Sequence, residues 1–402
     1  MSLAPNLSRA LSPGPSHPTP ASVLVVGAGI VGLAAAWRLA ERGHPVTLVD
    51  PALTSSNADT SPTTTAGLDH RNGSGAALGV LMAKVFHRSS GRAWRLRQQS
   101  HALWGLWLDE LEQRGHRLPR RRGLLLLAAS ADELARQEAI AADRAQLKID
   151  LQRLGPRELE DLKPSLPGRP LGGLLSPEDG QLDPGPLLAA LLQEARQAGA
   201  TCVAQAALGV ERGDPRRPPH PGWSGGQRWR LRLAGGGALE TDWLVLALGL
   251  GTAKLLAGLG HALPLKPVLG QALELEVATE PGWSWPGAVV YRGVNLVPRP
   301  DLGNSGRRLW LGATLEPGDQ ARSTALAELH LLGGEAPPWL QEAAVVRQWS
   351  GQRCHPVGQP APVHQQPEPG LLIATGHYRN GMLLAPATAE WICGQIRTAC
   401  RH

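Results

Sequence analysis

Aromatic side chains other than tryptophan are scarce in this chain. Its 402 residues include 13 Trp but only 2 Tyr and 1 Phe, a skew that reads as base composition and carries no functional weight. Cysteine is scarce too. The four present, Cys202, Cys354, Cys393 and Cys400, are too few for a disulfide framework at this length. No two have metal-ligand spacing, so neither a structural zinc site nor any other metal is expected. Reduced thiols in a cytoplasmic protein are the default reading. There is also no dense block of one charge sign. The 40 Lys+Arg and 34 Asp+Glu leave a formal charge of +6 spread along the whole length, which makes nucleic acid a poor partner. The one tight cluster, Arg120-Arg121-Arg122, abuts the leucine run at 124–127 and reads as the entry to a strand. A long apolar run is missing as well. Residues 21–37 come nearest, but Gly27, Gly29 and Gly32 interrupt them, and they fall short of the roughly 20 apolar residues that cross a bilayer. Residues 1–20 are Pro/Ser-rich with a single Arg9 and lack the charged n-region and cleavage site of a secretory signal. They are expected to be a disordered tail on a soluble protein that binds no membrane.

Hydrophobic residues make up 42% of the chain, enough to bury a core. With 48 Gly and 35 Pro, the chain should turn often. Its length suits two or three domains, or one large composite.

The informative part starts at Ser22. A β-branched run, Val23-Leu24-Val25-Val26, leads into Gly27-Ala28-Gly29-Ile30-Val31-Gly32, then an Ala-rich helix over 33–42, then Val46-Thr47-Leu48-Val49-Asp50. Gly27 would make the tight turn, Gly29 would let backbone approach a pyrophosphate, and Gly32 would let the helix pack on the strand. The free N–H groups and positive dipole end of the helix suit phosphates. Asp50, eighteen residues beyond Gly32, is placed to accept hydrogen bonds from a ribose hydroxyl, and its carboxylate argues against a 2′-phosphate. The pattern predicts a dinucleotide site for FAD or NAD. A second strand over 242–249 ends in Ala247-Leu248-Gly249 before another helix, as in two-domain flavoproteins.

The segment Leu371-Leu372-Ile373-Ala374-Thr375-Gly376-His377-Tyr378-Arg379-Asn380-Gly381-Met382-Leu383-Leu384-Ala385-Pro386 resembles the flavin-facing motif of FAD-dependent glycine oxidases. These belong to the D-amino-acid oxidase superfamily and serve thiamine biosynthesis in bacteria. Gly73-Ser74-Gly75-Ala76-Ala77-Leu78-Gly79-Val80-Leu81 resembles the small-residue loop beside the isoalloxazine. Pro267-Val268-Leu269-Gly270-Gln271, and Val297-Pro298-Arg299 through Leu311-Gly312-Ala313-Thr314-Leu315-Glu316-Pro317-Gly318, resemble the substrate sheet and its hairpin. The resemblance runs from residue 21 to near 400 and implies FAD as cofactor. It implies an α/β fold: a Rossmann-like FAD-binding domain from 21–87, 183–260 and 346–402, and a mixed-sheet α+β substrate domain from 88–182 and 261–345. The flavin would be contacted by Gly27, Ala28, Gly29, Ile30, Val31, Gly32, Asp50, Ala76, Ala77, Gly79, Val210, Ala247, Gly249, His377, Asn380, Gly381, Met382 and Leu383. The helix beginning near Gly381 would aim its N–H groups at the pyrimidine edge, where negative charge develops on reduction.

The resemblance also places Arg353 and Arg379 at the active site, Arg353 as the ligand of the substrate carboxylate, a task that suits a planar guanidinium. Two departures concern the substrate rather than the flavin. Arg353 is followed by Cys354-His355-Pro356-Val357-Gly358, without the aspartate of the family stretch. Asn295 stands where the family often has an aromatic hydroxyl that helps hold the carboxylate, and Tyr291 could replace it only if the strand register turned it inward. Cys354 lies where some sarcosine oxidases attach their flavin, but an incidental small residue is the favoured reading. His377 is a candidate base or simply a loop histidine satisfied by backbone. Three functions are in play: oxidation of glycine or another small amine with oxygen as acceptor, a D-amino-acid dehydrogenase or 2-hydroxy-acid oxidase of the same superfamily, and a non-catalytic FAD-binding module. The relatives also imply a homo-oligomer.

Overall fold

Val23–Val26 is apolar at all four positions and fully buried, which a strand achieves only in a sheet covered on both faces. The structure, a computed structural model, describes residues 20–53, 73–214, 228–279, 281–303 and 305–399. The expected tail, except its last residue, lies outside these, as do 54–72 and 215–227. Val23–Val26 sits inside a six-stranded sheet in the order Val363–Glu368, Leu371–Thr375, Trp243–Leu246, Val23–Val26, Val46–Val49, Thr201–Val203. Its strands run parallel except for the Val363–Glu368 edge. Val23 and Val25 face the helices Ile30–Glu41, Pro184–Gln197, Gly381–Ala399 and, beyond them, Gly91–Gln113. Leu24 and Val26 face a three-stranded antiparallel sheet of Ala207–Arg212, Trp229–Leu233 and Ala238–Thr241.

The tryptophans have a packing role. Trp37, Trp104 and Trp107 stack edge-on in the helical layer, with ring centroids 5.2 and 5.8 Å apart. Trp283, Trp285 and Trp339 form a similar trio in the second core. Such pairs add about 0.5–1.5 kcal/mol each beyond their burial.

A mixed ten-stranded sheet forms the other half, running Glu316–Pro317, Leu265–Glu276, Arg308–Gly312, Val294–Pro298, Ala288–Tyr291, Arg120–Ala128, Gly172–Leu182 and Val80–Leu81, with two further strands beside this path. The arginine cluster at 120–122 is the start of a strand. Two segments depart from the linear reading. Ala344–Pro356, which that reading largely groups with the nucleotide-binding segments, pairs antiparallel along Leu265–Glu276, so the chain rejoins the first sheet only at Val363. Residues 201–210, which read from sequence as one strand, form two. Gln205 N–H bonds back to the Val203 carbonyl, and Ala207–Arg212 turns away into the three-stranded sheet. Arg299 joins the two halves: fully buried, it pairs with Asp183 at 2.5 Å and Asp301 at 2.7 Å and lies 3.8 Å over the Trp310 ring. Paired on two sides, a buried cation is tolerated. Among the described residues no helix is long and apolar enough to cross a membrane.

Candidate active site

Gly27, Asp50, Ala247 and Gly376 each directly follow a parallel strand, so they collect at the carboxyl edge of the six-stranded sheet, where ligands of open α/β sheets bind. They border a cavity of about 1200 Å³ that extends to the ten-stranded sheet. Gly27 has φ +109°, and a Cβ there would stand 2.6 Å from the Ala247 carbonyl oxygen. A Cβ on Gly32 would overlap the Gly27 carbonyl, so each glycine meets the steric demand read from the motif. Asp50 orders the turn through its own side chain: Oδ2 accepts from Ala28 N–H at 2.7 Å and Oδ1 from Ala52 N–H at 2.8 Å. Ser74 Oγ accepts from Ile30 N–H at 3.1 Å, linking the small-residue loop to the first helix.

Ala76, Ala77 and Gly79 line the cavity, as do Gly27, Gly29, Ile30, Val31, Asp50, Ala247, Gly249, His377, Asn380, Gly381 and Met382. Trp349 Nε1 donates to the Ala76 carbonyl at 3.0 Å, which holds that loop against the second sheet. Four expected flavin contacts are not in the lining. Ala28 and Gly32 belong to the turn just described, and Leu383 is packed in the helical core. Val210 lies in the core beneath the three-stranded sheet, carried there by the break at 204–206.

His377 is not satisfied by backbone. Its Nε2 is 2.9 Å from Thr388 Oγ1, and His364 Nε2 is 3.1 Å from the same hydroxyl. Burial, with a further contribution from Arg92, pushes the His377 pKa down to about 3. The ring is therefore neutral at pH 7 and a weak base.

Arg353 is half-buried, and its Nη1 donates to the Leu269 and Thr314 carbonyls, both at 3.1 Å. No carboxylate among the described residues pairs with it. Burial and the charge of Arg379 lower its pKa from the ordinary arginine value. A desolvated cation held by neutral carbonyls is disfavoured until an anion arrives. Arg379 is exposed and borders the same cavity. Asn295 also lines it, but its amide donates to the Gly312 carbonyl at 3.0 Å. Tyr291 borders the cavity too, yet its hydroxyl is held by Glu335 and so does not take over the family's hydroxyl role. Cys354 lines the wall with Sγ 3.8 Å from Thr375 Oγ1. Burial pushes its thiol up, against weaker hydrogen bonds from Thr375 and Gly376, which favours the unreactive thiol over the thiolate.

A family model described as FAD dependent oxidoreductase (DAO) matches residues 22–395. The chain belongs to this family. It is 30% identical over 376 residues to a glycine oxidase of Geobacillus kaustophilus, covering 91% of this chain and 90% of that one. It is 28% identical to a bifunctional protein ThiO/ThiG of Synechocystis, covering 94% of this chain and 52% of that protein. Among solved structures, glycine oxidase from Geobacillus kaustophilus superposes with a TM-score of 0.77 at 26% identity, covering 94% and 95% of the two chains. The cofactor of this family is FAD, and the residues present fit it: a glycine turn without room for a Cβ, a helix N-terminus, and an acid at the end of the second strand.

Sequence reasoning missed three features of the cavity in this FAD-dependent oxidoreductase. Ser74 is one serine in a small-residue loop and carries no signal of its own there. Arg97, nine-tenths buried on the helix Gly91–Gln113, borders the cavity with its guanidinium 3.7 Å over the Phe86 ring, and nothing in its neighbourhood signals that. Gly270 is the third. A Cβ at 270 would occupy the space of the Arg353 guanidinium, so this glycine is the floor on which the arginine rests. Gly270→Ala should keep its flavin and weaken carboxylate binding by about tenfold or more, the scale expected when a binding group is displaced by a fraction of an ångström. Titrating the flavin spectrum with acetate measures it, and unchanged affinity would show that the guanidinium does not depend on that gap.

Proposed function

We propose that this protein oxidises a small amino acid or amine bearing a carboxylate, glycine foremost. The observation that carries the reading is Arg353, a guanidinium with no carboxylate partner among the described residues, at a cavity shared with the nucleotide turn. The bound FAD would accept a hydride from the substrate carbon and return two electrons to oxygen as hydrogen peroxide. Arg353 would hold the carboxylate through two parallel hydrogen bonds, and Arg379 would add positive charge on the solvent side. Fixing the substrate in this way supplies much of the rate. His377 is the one imidazole among the lining residues, and it is neutral and bonded to Thr388, so the amine is expected to arrive already deprotonated. The imine product would hydrolyse or, if formed from glycine, supply thiazole synthesis.

A second reading follows from Asn295. Asn295 is shorter than an aromatic residue and its amide is turned to Gly312, so the pocket would be wider on this side and would suit a longer side chain. That suits a D-amino-acid dehydrogenase or a 2-hydroxy-acid oxidase. One experiment separates these. Glycine, sarcosine, D-alanine and D-lactate are added anaerobically to the yellow protein, and air is then admitted. Bleaching by glycine or sarcosine, with peroxide formed in air, is the expected result. Bleaching by D-alanine with little peroxide, or by D-lactate, favours the second reading, and bleaching by none removes both.

A further inference from the structure

The carbonyls that hold Arg353 come from a strand and from a turn beside it, and one buried side chain links them. Leu269 lies on Leu265–Glu276, and its bridge partner is Glu316. Thr314 lies in the turn that leads to Glu316. The Glu316 carboxylate is 3% exposed. Its Oε1 accepts from Thr314 Oγ1 at 2.5 Å and from Gln271 Nε2 at 3.0 Å, and its Oε2 accepts from Arg322 N–H at 2.7 Å. The Thr314 hydroxyl in turn accepts from Gln271 N–H at 2.8 Å. Arg322 Nε stands 4.0 Å from the carboxylate, so the group is held by dipoles more than by a close ion pair. Burial pushes its pKa up, but the hydrogen bonds from Arg322, Thr314 and Gln271 outweigh this and hold it below the ordinary value. A fully satisfied buried network of this kind fixes one geometry.

We propose that Glu316 is a positioning residue for Arg353: it locks the Thr314 carbonyl and the Leu269–Gln271 backbone into the two-sided cradle that orients the guanidinium. Through the Arg322 amide it also fixes the start of the segment leading to the helix Ala325–His330, whose Ala325, Glu328 and Leu329 line the cavity. This rests on the reading of Arg353 as the carboxylate ligand.

The test uses the FAD-loaded protein and acetate, a carboxylate with nothing to oxidise, and reads the flavin spectrum for wild type, Glu316→Ala, Arg353→Ala and the double variant. Glu316→Ala should bind acetate roughly tenfold more weakly, as expected for a cradle that loosens by a fraction of an ångström. The double variant should be no worse than Arg353→Ala alone, because Glu316 acts through Arg353. With amino-acid substrate, KM should rise more than kcat falls. Acetate affinity unchanged in Glu316→Ala, or losses that simply multiply in the double variant, would overturn the proposal and leave the Arg353 reading intact. Unchanged affinity in Arg353→Ala would instead overturn that reading, and this inference with it. Should Glu316→Ala fail to retain flavin, Thr314→Val decides. It removes only the hydroxyl bridge and should weaken acetate in the same direction, and wild-type affinity there would count against the proposal.

Discussion

Replacing Arg353 with Ala should leave a yellow protein whose flavin no amino acid bleaches at the wild-type rate. The argument starts from what the guanidinium touches. Its side-chain bonds go to the Leu269 carbonyl, on a strand of the ten-stranded sheet, and to the Thr314 carbonyl, in a turn between two of its strands, while the nucleotide turn at 27–32 and Asp50 adjoin the other sheet. Truncation strands no carboxylate among the described residues and leaves two carbonyls that water can satisfy. Neither the fold nor FAD affinity should change much. On the proposed role of Arg353, substrate would lose a charge-assisted, two-point grip, and the loss of such a partner costs about 3 kcal/mol, or roughly 150-fold in kcat/KM. Arg353→Lys should fall between, keeping the charge without the planar fork. Stopped-flow reduction under anaerobic conditions gives both rates. A variant reduced as fast as wild type would show that the carboxylate is held elsewhere, with Arg97 and Arg379 the next cations of the cavity wall to test.

What could be read from the sequence was what is local. The turn at 27–32 has to accommodate a left-handed backbone and two close contacts within one strand–helix unit, so its glycines carry the information themselves. Pairing is not local in this sense. Ala344–Pro356 finds its partner strand some 80 residues upstream, and nothing in its composition distinguishes that sheet from the other. The break after Val203 has no Gly or Pro to mark it, which is why Val210 reads as part of a longer strand near the cofactor. The Thr388 partner of His377 lies eleven residues further on, within a helix, and becomes visible only when the loop folds back over that helix. Arg353 could be named as a ligand only through resemblance. The reason it would suit that role lies in Gly270 and Thr314, which meet it from a neighbouring strand and a turn, and in Glu316, which holds that turn. Tryptophan, whose abundance reads as base composition in the sequence, fills space in both cores. Its value there is bulk, and bulk leaves no motif.

Gly27→Ala should abolish or nearly abolish FAD binding, giving a colourless protein. Two costs combine at this position. A φ of +109° is strained for any residue with a Cβ, on the order of 1–2 kcal/mol. The added carbon would also stand 2.6 Å from the Ala247 carbonyl oxygen. That oxygen belongs to backbone at the end of a central parallel strand, where Ala247 N–H is bonded to the Val26 carbonyl, so it cannot yield without opening the turn that is to hold the pyrophosphate. The two costs can be separated. Gly43 also has a positive φ, +82°, but a Cβ there meets nothing within 4 Å, and it lies at the far end of the same helix. Gly43→Ala should lose about 1 kcal/mol of stability and keep its full complement of flavin. The ratio of flavin to protein absorbance after purification, with far-UV circular dichroism to confirm folding, reads both variants. Gly27→Ala with full flavin content would mean that the turn can open without losing its ligand, and the steric account of the cradle would then be wrong. Loss of flavin in both variants would point to general backbone strain rather than to the close approach at Ala247.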